Sequence, residues 1–455
     1  MALSLCVGVY TYVKVQGSSR RFAVCDKSLP FIVVGTTLMA QSVDGNATLG
    51  AVAVTYTGSV WGGVMISAGL ALSLVIIGRF LASQLNDMNL LTLPEFFARR
   101  YGKPTELLVS LVTIVSFVIL IAGNLSAVAW VLSVVSGQGY LTCLVVSTLV
   151  IVTYTVAGGL YAAVWTDFLQ IYVALVGFVV AAVWLVATKG FANMVAAAPA
   201  ATVDFSSILN RENGALANWA GLVALAIGNA MALDFMERVF AARDGRTARN
   251  SCYYAAVMTV VIGVCVAVIG LAAVSAVQGV SDPRMVLPAM ATQVLPYWVG
   301  VLVLIGVIGA AMSTANGSIL VISVVLTQSV MHWRETRPQD STLLMFARIM
   351  AFPVAAAAGL VAFYRPEPGI LLVVAFDIVL AGCVVPLFAG VYWPKATQAG
   401  AIAAIVVGTT ARIVAHFVIP GPWAGLDTLL PPVVSAIVFY SVSQLTSRTP
   451  NQRVM

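Results

Sequence analysis

Apolar residues fill this chain in long blocks, and polar ones are confined to short stretches between them. A helix crossing the hydrocarbon core of a bilayer needs about 20 such residues at about 1.5 Å each. By that measure a lead-in helix ends near Val15. Twelve spans follow, near residues 29–57, 60–82, 106–135, 139–158, 164–187, 215–240, 252–277, 297–329, 342–363, 369–392, 396–418 and 428–446. The expected fold class is an all-α polytopic membrane protein with about 12 to 13 transmembrane helices. Two connections are more than linkers. LLTLPEFFARRYGK (Leu90–Lys103) suits a short interfacial helix, apolar on one side and basic at its end. The loop FANMVAAAPAATVDFSSILNRENGA reads as a cap over one end of the bundle.

Composition agrees with the pattern. Of 455 residues 61% are hydrophobic and 9% charged, with mean hydropathy +1.00. Soluble domains carry about 25% charged residues, so this chain cannot present a water-facing surface all round. The net charge of +6 suggests no nucleic-acid partner, because the basic residues sit in short inter-span loops. Their distribution gives an orientation. One set of loops holds Arg20, Arg21, Lys27, Arg99, Arg100, Lys103, Arg238, Arg243, Arg246, Arg249, Arg334, Arg337, Lys395, Arg448 and Arg453. The other holds Lys189, Arg211, Arg284 and Arg365. The first set is read as cytoplasmic, so odd-numbered spans run outward. The six cysteines are scattered without metal spacing and read as packing residues. The N-terminal stretch has its charges after its apolar run, unlike a signal peptide, and reads as a shortened lead-in helix whose start lies upstream.

The residues that carry chemistry are polar ones at membrane depth, where a charge costs about 2.5–3.5 kcal/mol on insertion scales. LMAQSVDGNATLG (Leu38–Gly50) places Gln41, Ser42, Asp44, Gly45 and Asn46 in the middle of span one, which reads as an unwound stretch. Asp167 opens span five, and Asp234 and Glu237 lie toward the inner end of span six. Asp377 stands mid-span ten with no basic residue near it in sequence. Glu237 beside Arg238 reads as a structural pair, while Arg412 and His416 read as interfacial. In span eight Ala310, Ser313 and Thr314 stand at i, i+3 and i+4, placing one carbonyl and two hydroxyls on one helical face. Such small residues allow close helix approach. They also make half of an oxygen site for an alkali cation, which carbonyls from a broken helix would complete.

Five stretches in order resemble the sodium:solute symporter family. They are TLPEFFARRYG, TVAGGLYAAVWTDFLQ, MERVFAARD with Ala248 and Arg249, AAMSTANGSIL, and FAGVYWPKATQAGAIAAIVVG. The fourth resembles the family pattern AA-x-MSTADS. The resemblance implies a five-plus-five inverted repeat with broken helices one and six at the midplane. Residues 29–187 and 215–393 would be the two repeats. Segment 1–28 would lead in, 188–214 would form the outer loop, and 394–455 would add two peripheral spans and a tail. It implies a sodium site from the carbonyls of Ala40, Val43 and Ala310 and the hydroxyls of Ser313 and Thr314, with Asp167 on the ion exit path. The solute site would draw on Gln41, Ser42, Asp44, Asn46, Asn124, Asn229 and Asp377. The chain departs from the family pattern in three places. Proline-type carriers have an acidic residue where Ser42 stands, the usual QR pair is Glu237-Arg238, and many relatives are uncharged at Asp377.

The expected function is secondary-active, sodium-coupled import of a small organic solute by alternating access. Two buried carboxylates, Asp44 and Asp377, point to an amino acid or another amine-bearing or cationic solute. Proton coupling, or a transporter-like sensor working with a separate signalling partner, remain the alternatives. No nucleophile–base pair, metal cluster or phosphate loop suggests an enzyme. Sodium is the expected coupling ion, with no organic cofactor. The expected partners are the solute and the lipid bilayer, with no obligatory protein partner, in a multi-pass plasma membrane setting of the bacterial inner-membrane type.

Overall fold

The computed structural model describes residues 24–447, apart from 278, 281 and 333–339 and the side chains of 154, 157–159, 161, 162, 330–332, 340 and 341. The expected lead-in helix lies outside these residues, as do Arg20, Arg21, Arg334, Arg337, Arg448 and Arg453.

Span one comes in two halves, α1 (Phe31–Ser42) and α2 (Gly45–Thr57). The next span, α3 (Val60–Ile76), continues through a π turn to Asp87. The interfacial helix α4 (Leu93–Tyr101) buries Leu93, Phe96, Phe97 and Tyr101 and pairs Glu95 with Arg99 at 2.5 Å. After α5 (Lys103–Ser136), spans four and five form one helical run, α6 (Tyr140–Lys189). The linker expected between them contains no proline to remove a ladder bond, and the helix runs on through it. Span six is broken again, into α7 (Ala215–Ile227) and α8 (Leu233–Ala241), bent by 45°. Then follow α9 (Gly245–Ala276), α10 (Tyr297–His332) and α11 (Asp340–Tyr364). Span ten is a bent pair, α12 (Pro368–Gly382) and α13 (Val384–Tyr392), at 50°. The apolar pattern alone predicts this span unbroken. Pro386 lacks the N–H that would bond to Gly382, which accounts for the bend. The peripheral helices are α14 (Gln398–Val418) and α15 (Leu426–Thr446).

Among the described residues eight helices are long and apolar enough to cross a membrane, and the two bent pairs make ten. The shorter Phe31–Ser42, with α2, and Tyr140–Thr153 supply the remaining two of the twelve expected spans. Large apolar side chains such as Leu149, Val183, Val264, Leu360 and Ile437 are more than half exposed. On a water-facing protein such a surface would be a liability; against hydrocarbon it is the matching solvent.

The two ends of the bundle are tied by different contacts. At one, Lys27 donates to Asn86 O and Asn89 Oδ1, and Arg100 donates to Gly390 O and Trp393 O. At the other, Trp61 donates to Val203 O, and Trp130 and Arg284 both donate to Pro366 O. The first end carries the richly basic loops. Between them α10 packs against both halves of span one and against α5, α6 and α8. The contact is close: a Cβ on Gly45 would lie 2.5 Å from Ala311 Cβ. The start of α2 is thus pressed onto the Ala310–Thr314 turn.

Candidate functional site

The break in span one is made by Asp44. Its backbone is extended, and its side chain caps α2, with Oδ1 accepting from Ala47 N at 2.7 Å. In an unbroken helix that N–H would go to Val43 O. The first half closes with Val43 N on Met39 O and the second opens with Thr48 N on Asp44 O. The carbonyls of Ala40 and Val43 therefore stand outside the helical ladder, in the break just before the turn whose Gly45 packs on Ala311 of α10. Asp44 Oδ2 accepts from Asn124 Nδ2 at 2.8 Å and from Asn46 Nδ2 at 3.3 Å. Asn46 and Asn124, expected to touch solute, instead hold this carboxylate.

Across the break, Ser313 Oγ donates to Asp167 Oδ1 at 2.5 Å and accepts from Gln41 Nε2 at 3.0 Å. Gln41 Nε2 also donates to Asp167 Oδ2 at 3.2 Å. Thr314 Oγ1 is buried and without a hydrogen-bond partner. Ser313 keeps a lone pair, and Thr314 offers an unused oxygen one residue further along α10. This hard-oxygen set suits a sodium ion. Arg238, counted from sequence among the basic loop residues, is fully buried instead. Its Nη1 lies 3.2 Å from Glu237 Oε2 and its Nη2 3.1 Å from Asp167 Oδ2.

A small cavity lies between the two broken helices, lined by Gln41, Asp44, Asn229, Asp234 and Thr314 with Leu70, Leu120, Phe235, Leu372 and Phe376. Its volume is about 10 Å³, room for about one water. Among these lining residues, Gln41 Oε1, Asn229 Oδ1 and Thr314 Oγ1 are buried without partners. Such orphaned acceptors are costly unless a ligand meets them. A larger cavity of about 590 Å³ opens toward the other end of the bundle, its walls including Leu49, Gly50, Asn218, Glu367, Gly369 and Val373. The two are separated where α2 crosses α12. There a Cβ on Gly50 would lie 2.5 Å from Gly369 Cα. From that crossing α2 descends six residues, about 9 Å, to Asp44, and α12 descends to Leu372 and Phe376.

Two expected solute residues are elsewhere. Asp377 faces Arg412, which donates to its Oδ2, and it also accepts from Thr428 Oγ1 at 3.0 Å. Arg412 reaches Asp427 as well, at 3.2 Å. Asp377 is thus a paired carboxylate joining α12 to the peripheral helices, and its partner Arg412 is partly buried. Ser42 turns away from the central cavity to α9, with its Oγ 2.5 Å from Thr259 Oγ1. Conversely, Asp234 was missing from the expected site and is the second carboxylate of the cavity. The signal for it was present in GNAMALD, where Gly228 and Asn229 mark the unwound turn that aims it inward.

The chain matches the sodium:solute symporter family over residues 22–408. It belongs to that family. Among its relatives are the human high affinity choline transporter 1 (24% identical, covering 90% of this chain and 74% of the relative) and the sodium/proline symporter of Haemophilus influenzae (25%, 99% and 94%). The sodium/glucose cotransporter of Vibrio parahaemolyticus is 23% identical, covering 98% of this chain and 89% of the relative. Among solved structures, a substrate-bound, outward-open Na+-coupled sialic acid symporter superposes with a TM-score of 0.82 at 17% identity, over 98% of this chain and 95% of that one. This symporter-family protein therefore has the family's fold, with α1–α2 and α7–α8 as its two broken helices.

Proposed function

We propose that this protein is a sodium-coupled symporter of a small solute bearing an amino or quaternary ammonium group. The observation that carries the reading is the pairing of Asp44 and Asp234 in one cavity. Each stands at the N-terminus of the second half of a broken helix, where the helix dipole tempers its charge. Phe235 and Phe376 line the same space, and an aromatic ring can receive a cation on its face. Relatives named for choline and proline carry solutes with positive nitrogen, which agrees with this chemistry.

Sodium would bind between the freed carbonyls of Ala40 and Val43, the Ala310 carbonyl and the Ser313 and Thr314 hydroxyls. Gln41 joins this site to the solute cavity, since its amide nitrogen donates to Ser313 and its side chain lines the cavity. Each ligand then favours the conformer that the other needs, and the effect is reciprocal. Asp167, bonded to Ser313, lies where it would receive the departing ion. With the basic loops on the cytoplasmic side, an inward sodium gradient across the plasma membrane would drive import.

Sodium chloride should raise the thermal stability of the purified protein while equimolar potassium chloride does not, and the double variant Ser313→Ala/Thr314→Ala should lose that response. With sodium present, choline or proline should add further stabilisation and glucose should not. Stabilisation by glucose alone would overturn the amine assignment, and an equal response to potassium would overturn the ion site. The two facing carboxylates also favour a second reading, proton coupling. In that case a pH gradient without sodium would drive uptake into proteoliposomes.

A further inference from the structure

A third cavity, of about 380 Å³, lies between α3 and α9. Val64 and Ala68 of α3 and Val260, Val264 and Ala267 of α9 line it, joined by Phe191 of the short outer-loop helix Phe191–Ala197. None of its lining residues is charged. Their polar side-chain atoms come from Ser67 and from Trp61, whose indole N–H is spent on Val203 O at 3.1 Å. A solute pocket needs a few placed polar groups to orient its ligand. This space offers almost none, so it suits a flexible apolar guest.

Its setting names that guest. Val260 and Val264 are 50% and 59% exposed, so the rim is continuous with the lipid-facing surface. From Val260 to Leu271 the cavity follows α9 for about 16 Å. One leaflet of a hydrocarbon core about 30 Å thick is about 15 Å deep, a close match. Trp61, tied to the outer loop, marks the interfacial end, where tryptophans gather. An empty cavity would forfeit dispersion contacts along its whole lining, and a methylene chain regains them without desolvating any polar group. The inner wall reaches the site region. Ser67 and Gly263 also line a small space with Ser42, Val43 and Thr259, at the break in span one. A Cβ on Gly263 would lie 2.6 Å from Ser67 Cβ, so a single layer of close contact separates cavity from break.

We propose that this cavity is a lipid site. An acyl chain of one phospholipid occupies it as a bound component of the protein, drawn from the leaflet on the side of the sparsely basic loops.

The test is native mass spectrometry of the full-length protein, stripped of lipid in detergent and titrated with dioleoyl phosphatidylethanolamine. The parent should take up one phospholipid saturably, before further lipids add without saturation. Ala267→Phe fills the cavity from its wall and should weaken that first binding at least tenfold. Val264→Trp, at the rim, should do the same. Leu360→Trp makes a similar change at a similarly exposed position on α11, away from the cavity. It should bind as the parent does. A parent without saturable phospholipid would overturn the proposal, as would folded cavity variants that bind it as tightly as the parent. An equal loss in Leu360→Trp would also overturn it, because the lipid would then be part of the general annulus. If one cavity variant does not fold, the parent count and the other variant decide.

Discussion

Asparagine in place of Asp234 should weaken binding of the transported amine about tenfold to a hundredfold, and sodium should still stabilise the variant. A hydrogen bond to a charged group contributes about 1.5–3 kcal/mol, and about 1.4 kcal/mol corresponds to tenfold. Asp234 accepts from Phe235 N at 2.9 Å, a bond made within its own turn. Asp44, by contrast, is held by Ala47, Asn124 and Asn46. Asp234 thus has more of its charge to give a ligand. Asp44→Asn retains a competent helix cap, so a loss of affinity there would report charge rather than a failed fold. Solute counterflow in proteoliposomes, normalised to monodisperse protein, separates binding from ion coupling. If Asp234→Asn handles choline or proline as the parent does, the cavity between the broken helices is not where the amine binds.

Arg412→Met should destabilise the protein by about 1.5–3 kcal/mol, the range for a hydrogen bond to a charged group, because Asp377 is buried and Arg412 partly so. The variant would leave Asp377 with only Thr428 as a neighbouring donor and free Asp427 from its shared guanidinium. Adding Asp377→Asn to the same chain should recover much of the loss, because the stranded charge is then gone. A double-mutant cycle read by thermal unfolding measures that coupling. Asp377→Asn alone should leave amine affinity unchanged. A loss comparable to that of Asp234→Asn would return Asp377 to the solute site.

The contrast between these two aspartates shows what the sequence could reveal. Apolar blocks of membrane length announced the spans. Gln41 to Asn46 announced the break in the first, because a polar run at that depth is stable only where backbone unwinds or lines a cavity. Asp377 misled because partnership was judged along the chain: Arg412 lies 35 residues away yet packs against it through α14. Asp234 was obscured by the opposite circumstance. It has charged neighbours in sequence, Glu237 and Arg238, but Arg238 bonds to Asp234 through the backbone carbonyl and sends its guanidinium on to Asp167. The bend in span ten was legible in Pro386, whose missing N–H is a local property. The Ser313–Asp167–Gln41 network joins three distant segments, and no local pattern encodes it.

The meeting of Gly50 and Gly369 has a consequence for how the larger cavity joins the smaller one. Two helices touching backbone to backbone have no side chains to unlock at that point, so parting them changes no rotamer there. The contact gives up only weak dispersion, about 0.1–0.2 kcal/mol for each atom pair. At the crossing the helices meet more like two smooth rods than like a bolt. The crossing itself is therefore a cheap place to part, and what holds it shut is the packing of α2 and α12 on their other neighbours.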